Sequence, residues 1–206
     1  MRFWPRRLLH ASAAGRDARA ARGARGWGRS QAGDGVQAVR TSSTAWCDPG
    51  SCQSDAVLAS IRSRIANVTL VPEQNAEHMQ VLRYEVGQFY KTHHDQNTDP
   101  DSMAGVRLFT FFMYLHTPEA GGQTYFHRPN VTIQPKKGSA LMWPNVRDDD
   151  LHRSDMRTEH EAQPPLAGVK FAANLWLHRA QNATHTNNLV TDMLADLPSM
   201  ARYTLP

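Results

Sequence analysis

Two adjacent histidines and an aspartate close the run "QFYKTHHDQN", residues 88–97, and imidazole and carboxylate are the side chains that hold transition metals. The run reads as a strand, on which residues two apart share a face and neighbours oppose each other. His93 and Asp95 therefore project together, while His94 turns away. Two ligands do not make a site, so a third must come from elsewhere; His116, His127, His152, His160, His178 and His185 lie downstream. His160 stands apart because "HEAQPPLAGVKFAANLWLH" leads from it into a strand whose alternation is legible. There Lys170, Ala172, Asn174, Trp176 and His178 share one face, and Val169, Phe171, Ala173, Leu175 and Leu177 the other. The second face is core; the first is mixed and suits a pocket lining.

Two histidines and a carboxylate with open coordination positions suit non-haem Fe(II), but catalytic zinc uses similar mixed sets. The ligands alone do not choose, and Lys170 becomes the discriminating residue. A lysine pointing inward is costly to bury unless its ammonium is paired. Its partner would be Asp155, Glu159, Glu161 or the carboxylate of a ligand, unless it is simply exposed at a strand edge. His10, His78, His94, His116, His127, His152 and His185 read as ordinary polar or surface residues.

The elements that would position these groups follow from periodicity. After Ser54, a candidate N-cap, Val57, Ile61 and Ile65 recur at helical spacing with Leu58 beside them, a stripe suited to packing on a sheet. Beyond Pro72 the pattern becomes short runs rich in aromatic and β-branched residues, from "MQVLRYEVG" to "VKFAANLWLH", separated by turns such as "TPEAGG" and "PKKG". About seven or eight strands with no helix between them favour a closed or sandwiched antiparallel sheet. The expected organisation is a disordered leader over 1–39, one domain over 40–180 with helical support at about 54–67 and strands over about 79–180, and a tail over 181–206 containing a short surface helix.

Charge narrows the function. The chain carries a formal +4, yet residues 1–40 hold nine Arg against Asp17 and Asp34, so the remainder is −3. A mildly acidic domain lacks the basic footprint of a nucleic-acid binder. The leader "MRFWPRRLLHASAAGRDARAARGARGWGRSQAGDG" has no apolar run of signal-peptide length; its composition fits an organelle-targeting segment or a misplaced start. No segment has the run of apolar residues that a membrane span needs. Cys47 and Cys52 in "WCDPGSC" are either two unrelated thiols or a short-loop disulfide. The sequons at Asn67, Asn130 and Asn182 permit glycosylation in a secretory compartment.

Taken together, "RTSSTAWC", "MQVLRYEVGQFYKTHHD", "FFMYLHTPEAGGQTYF", "VTIQPKKGSALMW" and "RTEHEAQPPLAGVKFAANLWLH" resemble the Fe(II) and 2-oxoglutarate-dependent oxygenases, and within them the prolyl 4-hydroxylases of collagen, plant and algal type. The resemblance implies a double-stranded β-helix, or jelly roll, mainly β with flanking helices. It implies Fe(II) ligands His93, Asp95 and His160, and Lys170 pairing with the distal carboxylate of 2-oxoglutarate, assisted by Tyr114 and by Tyr84 and Thr124. Trp176 and His178 fall in the cosubstrate and peptide region. Arg107 matches a peptide-binding arginine, although parity places it opposite Tyr114 on a straight strand, so that a bulge or a rim position is required. Dioxygen and ascorbate would complete the cofactor set, a proline-rich peptide or protein would be the substrate, and the endoplasmic reticulum the compartment. Gln123 replaces the usual acid of GG-E-T, and Pro164-Pro165 the usual Pro-Val. The rival readings are an oxygenase of another substrate (a lysyl residue, a small molecule or an alkylated base) and a catalytically silent jelly-roll module. Oligomeric state is not encoded in any motif.

Overall fold

The computed structural model describes residues 2–4, 26–32, 38–48, 52–98, 100 and 104–179. Its strands are β1 (Arg2–Trp4), β2 (Gly28–Arg29), β3 (Ser43–Cys47), β4 (Met79–Tyr84), β5 (Tyr90–His93), β6 (Arg107–Tyr114), β7 (Ala120–Gly121), β8 (Thr124–Phe126), β9 (Val131–Ile133), β10 (Ala140–Pro144), β11 (His160–Ala162), β12 (Pro165–Ala167) and β13 (Lys170–His178), with one α-helix among the described residues, α1 (Ala56–Thr69). A larger antiparallel sheet runs β1-β10-β6-β13-β4-β3-β2, a smaller one β5-β11-β8-β9, and β12 pairs with β7.

Alternation along the central strands builds two cores, one on each face of the larger sheet. Val81, Phe111, Met113, Ala173, Leu175 and Leu177 point outward and meet Leu58, Ile61 and Ile65 of α1. Leu82, Tyr84, Phe112, Tyr114, Leu141, Trp143 and Ala172 point inward and meet Phe126 and Ala162 of the smaller sheet. Two facing antiparallel sheets with a helix outside form the expected jelly roll. The split of β13 into an outer apolar face and an inner mixed face is as the sequence predicts.

The helix starts one residue later than the Ser54 cap suggests. Asp55 is the N-cap, its carboxylate accepting from the amides of Val57 and Leu58. Either residue type serves, so local composition could not separate them. Cys47, at the end of β3, is disulfide-bonded to Cys52, four residues before the helix.

A glycine pair shapes the turn into β8. A Cβ on Gly121, at φ +76°, would come within 2.6 Å of both Leu166 N and Pro164 O, and one on Gly122, also at +76°, would meet the Lys170 stem at 3.4 Å. Any side chain at Gly121 would part β7 from β12. The expected tail helix lies outside the described residues, as does most of the leader; Arg2–Trp4 and residues 26–32 are described, and Gly28–Arg29 pairs with β3.

Candidate active site

β5 ends at His93, β11 begins at His160, and the two residues are paired across the strands. Asp95 follows two residues after β5. His93, Asp95 and His160 thereby bring one possible ligand atom each to within 4.8 Å of one another. The separations are 3.6 Å from His93 Nε2 to Asp95 Oδ1 and 3.9 Å from His160 Nε2 to Asp95 Oδ2. His94 is outside this group, its Nε2 3.0 Å from the Asp155 carbonyl, although the residue borders the cavity beside the triad.

Each group is prepared for a cation. His93 Nδ1 donates to the Lys91 carbonyl at 2.8 Å and His160 Nδ1 to that of Thr158 at 2.9 Å. A carbonyl only accepts, so the ring proton sits on Nδ1 and the Nε2 lone pair faces the centre. Burial pushes the His93 pKa down to about 3, aided by His160, and lowers that of His160 as well. For Asp95, burial opposes ionisation, but attraction to His160 and His93 and a hydrogen bond from Thr110 outweigh it and hold its pKa at about 2. Thr110 Oγ1 donates to Asp95 Oδ2 at 2.7 Å and accepts from Asn145 Nδ2 at 3.0 Å. Two neutral imidazoles and one carboxylate are a donor set that fits Fe(II).

The triad opens on a cavity of about 370 Å³ between the sheets, walled in part by Tyr84, Phe112, Thr124 and Trp143. Lys170 is fully buried and its Nζ has no hydrogen-bond partner among the described residues. Nζ sits 5.3, 5.5 and 5.6 Å from the ring centres of Tyr84, Phe112 and Tyr114, contacts that soften the cost of burying a cation without cancelling it. Burial alone lowers its pKa to about 7. None of Asp155, Glu159 and Glu161 pairs with it: Asp155 binds Arg157, Glu159 binds Arg128, and Glu161 faces His127. An orphaned ammonium beside the cavity wall fits the far carboxylate of a dicarboxylate held at the triad. Tyr114, whose pKa burial raises, donates to Thr124 Oγ1 at 2.8 Å, which leaves the Thr124 hydroxyl proton for a ligand. Lys170 and Tyr114 stand just behind the wall; Tyr84 and Thr124 are on it.

Arg107 reaches the cavity by a bulge, one of the two ways that parity allows: Leu177 opposes Phe109 but His178 opposes Arg107, leaving Leu108 extra in β6. Its guanidinium grips both oxygens of Glu77 at 2.6 and 3.0 Å, donates to the Asp95 carbonyl at 3.1 Å and lies 4.0 Å over the Trp176 ring. His178 does not line the cavity. Its Nε2 is 2.6 Å from Glu77 and its Nδ1 3.1 Å from the Gly105 carbonyl, so both nitrogens are engaged. Burial works against the Glu77 carboxylate, but its bonds to His178 and Arg107 lower its pKa.

Several lining residues escaped the sequence reading. Tyr90 stacks on His93 at 3.5 Å between centres, and the Trp143 ring packs 4.8 Å from that of His160. Buried Arg40 lies 4.5 Å over Tyr90 and donates to Gln80 at 3.2 Å, which also accepts from Asn174 at 3.2 Å. The inward parity of Asn174 was the only signal for this network; Arg40 and Gln80 become polar lining residues only through strand pairing.

This donor set between two facing sheets suits a non-haem iron centre, and comparison with known proteins gives the class. Residues 79–178 match the family model of the 2OG-Fe(II) oxygenase superfamily, and the chain belongs to that superfamily. Its relatives there include prolyl 4-hydroxylases. It is 37% identical over 154 residues to prolyl 4-hydroxylase subunit alpha-2 of Gallus gallus, covering 71% of this chain and 27% of that protein. It is 31% identical over 174 residues to prolyl 4-hydroxylase 2 of Arabidopsis thaliana, covering 73% of this chain and 55% of that one. The chain thus spans 27% of the first relative and 55% of the second. Among solved structures it is similar to the viral collagen prolyl hydroxylase from Paramecium Bursaria Chlorella virus-1 in its 2OG complex, with a TM-score of 0.59, 29% identity and coverage of 68% of this chain and 80% of that one.

Proposed function

We propose that this chain carries the catalytic domain of a peptidyl-proline 4-hydroxylase, coupling hydroxylation of a prolyl ring to oxidative decarboxylation of 2-oxoglutarate to succinate and CO2. The observation that carries the reading is the orphaned, fully buried Lys170 Nζ beside a cavity that opens on His93, Asp95 and His160. Fe(II) bound there supplies dioxygen activation, with ascorbate as its reductant. His93 and His160 would ligate through Nε2 and Asp95 through a carboxylate oxygen. Lys170 would hold the distal cosubstrate carboxylate, with Thr124 donating and Tyr114 orienting Thr124. Tyr84 and Phe112 would exclude water from that pair, which strengthens it.

The substrate side is the Trp176 wall with Arg107, whose bidentate grip by Glu77 fixes the guanidinium. His178 would act through Glu77 as a positioning residue. A proline-rich peptide suits an aromatic wall because its polyproline II shape is preset and costs little entropy to bind. The Cys47–Cys52 disulfide supports an oxidising compartment such as the endoplasmic reticulum. No helix among the described residues is long and apolar enough to cross a membrane.

The test is succinate release from 2-oxoglutarate by the Fe(II)-loaded chain, with and without a Pro-Pro-Gly repeat. The expected result is peptide-stimulated turnover that disappears in His160→Ala. Turnover indifferent to peptide would retain the oxygenase and remove the prolyl substrate; none, with iron bound, would favour a silent module.

A further inference from the structure

The charges on the cavity wall do not balance. Among the described lining residues, Arg29, Arg40 and Arg107 are permanently cationic and Asp95 is the only carboxylate. Asp95 belongs to the metal centre, and Arg107 is neutralised by Glu77. In the reading above, a divalent iron, Asp95, a dianionic cosubstrate and Lys170 cancel among themselves. Arg29 and Arg40 are then left facing whatever occupies the rest of the cavity.

These two residues form one wall. Arg29 is on β2, the edge strand paired with β3, and its Nε donates to the Arg40 carbonyl at 3.4 Å. The Arg40 guanidinium is buried among neutral groups: it donates to the Gln31 carbonyl at 3.0 Å, Gln80 Oε1 at 3.2 Å and Ser42 Oγ at 3.4 Å, and lies over Tyr90. No salt bridge to Arg40 or Arg29 is present among the described residues. A buried guanidinium surrounded by neutral acceptors, with a second guanidinium exposed beside it, makes a positive surface in a partly desolvated cleft, where charge complementarity selects partners.

We propose that the Arg29–Arg40 wall makes the site selective for prolyl peptides carrying an acidic residue beside the target proline. This rests on the prolyl reading and names its substrate more narrowly: a glutamate- or aspartate-flanked proline in extended conformation rather than a neutral Pro-Gly repeat. Arg29 is the specificity-determining residue, because it is the exposed member of the pair and stands on the cavity rim. Residues 26–32, which the sequence places in an Arg-, Ala- and Gly-rich leader expected to be disordered, thereby become part of the substrate site.

The test is fluorescence anisotropy with three labelled peptides that differ only at the residues flanking one proline: glutamate, serine or lysine. The full chain is loaded with Mn(II) and 2-oxoglutarate without oxygen, so that binding is read independently of turnover. The glutamate peptide should bind about fivefold more tightly than the serine peptide, the size of one partly exposed charge pair, and the lysine peptide more weakly. The preference should shrink as salt rises, weaken in Arg29→Gln and reverse in Arg29→Glu. Equal affinities at low salt, or a glutamate preference unchanged in both variants, would overturn the proposal. The same peptides are then offered to Fe(II)-loaded protein in air and weighed by mass spectrometry. A glutamate preference in binding with no hydroxyl gained by any peptide removes the prolyl reading and retains the anion-selective wall. Equal binding with equal hydroxylation retains the prolyl reading and removes the wall.

Discussion

Thr110 touches no metal, yet its hydroxyl fixes one oxygen of Asp95 and is itself fixed by Asn145. Thr110→Val keeps the shape and removes the donor, so metal affinity should fall about 10- to 100-fold, as when the outer partner of a ligand is lost; competition with a fluorescent chelator measures it. An unchanged affinity would mean that Asp95 is held by its loop alone. Lys170 gives a pH prediction. Its pKa is lowered to about 7 by burial, so below that value the folded protein carries an unpaired ammonium, and above it the amine is neutral. The unfolded chain keeps its proton up to the ordinary value of 10.5, so the ligand-free protein gains stability as pH rises from about 7 towards 10.5 and loses that gain as pH falls back. Cosubstrate binding has the opposite sign, because its carboxylate calls the proton back. Affinity for 2-oxoglutarate should be flat below about pH 7 and weaken above it by up to about tenfold per pH unit, with proton uptake visible by calorimetry in buffers of different ionisation heat. Lys170→Met should bind weakly and show no such slope. Of the candidate residues, His93, Asp95 and Lys170 were legible because period-two alternation gives each a face, and His160 through the stretch that follows it and the family resemblance. Thr110 and Asn145 behind Asp95, and Gln80 behind Arg40, were not, since each becomes a partner only through the sheet's register.

At the scale of elements, two faces of one sheet separate stability from chemistry. α1 packs on the outer face against Val81, Met113 and Leu175, while the triad lies beyond the inner face. Asp55→Ala removes the side chain that accepts from two first-turn amides and should cost about 1 kcal/mol. Urea unfolding should show that loss, while metal and 2-oxoglutarate affinities of the folded protein stay unchanged. A parallel loss of affinity would show that the helix does more than support the sheet. The long strands β4, β6 and β13 were readable because six to nine residues display alternation clearly. β7, β11 and β12 have only two or three residues, too few for any period, and β2 is concealed in an Arg- and Gly-rich stretch whose composition argues against structure. The bulge at Arg107 was foreseeable as one of two ways to the cavity but not as a location, because a bulge belongs to a pair of strands and not to either one.

For the whole molecule, the jelly roll follows from counting alternating runs with no helix between them, but the way its sheets close depends on contacts far apart in sequence. His93 with His160 and Arg40 with Gln80 meet across 67 and 40 residues respectively. Such closure loses chain entropy before any contact offsets it, so short covalent constraints near the ends of the sheet matter. The Cys47–Cys52 bond ties the end of β3 to the approach to α1 and lies within the outer core. It also borders Trp46, which lines the cavity and packs 6.2 Å from Trp176. Closing so short a loop is worth about 2 kcal/mol in the chain-entropy account, which for a domain of this size is a shift of about 4–8 °C in melting temperature. Cys47→Ser with Cys52→Ser should melt lower than the parent protein by that amount in the absence of reductant. The difference should vanish when both are melted with a strong reductant, because the parent protein then loses the same bond. A parent protein whose melting temperature ignores reductant, and whose thiols titrate as free, would show that the bond does not form in solution and would remove the support it gives to an oxidising compartment. If the bond forms and the double variant also binds a proline-rich peptide less tightly, at unchanged 2-oxoglutarate affinity, the constraint acts through the Trp46–Trp176 wall as well as through the core.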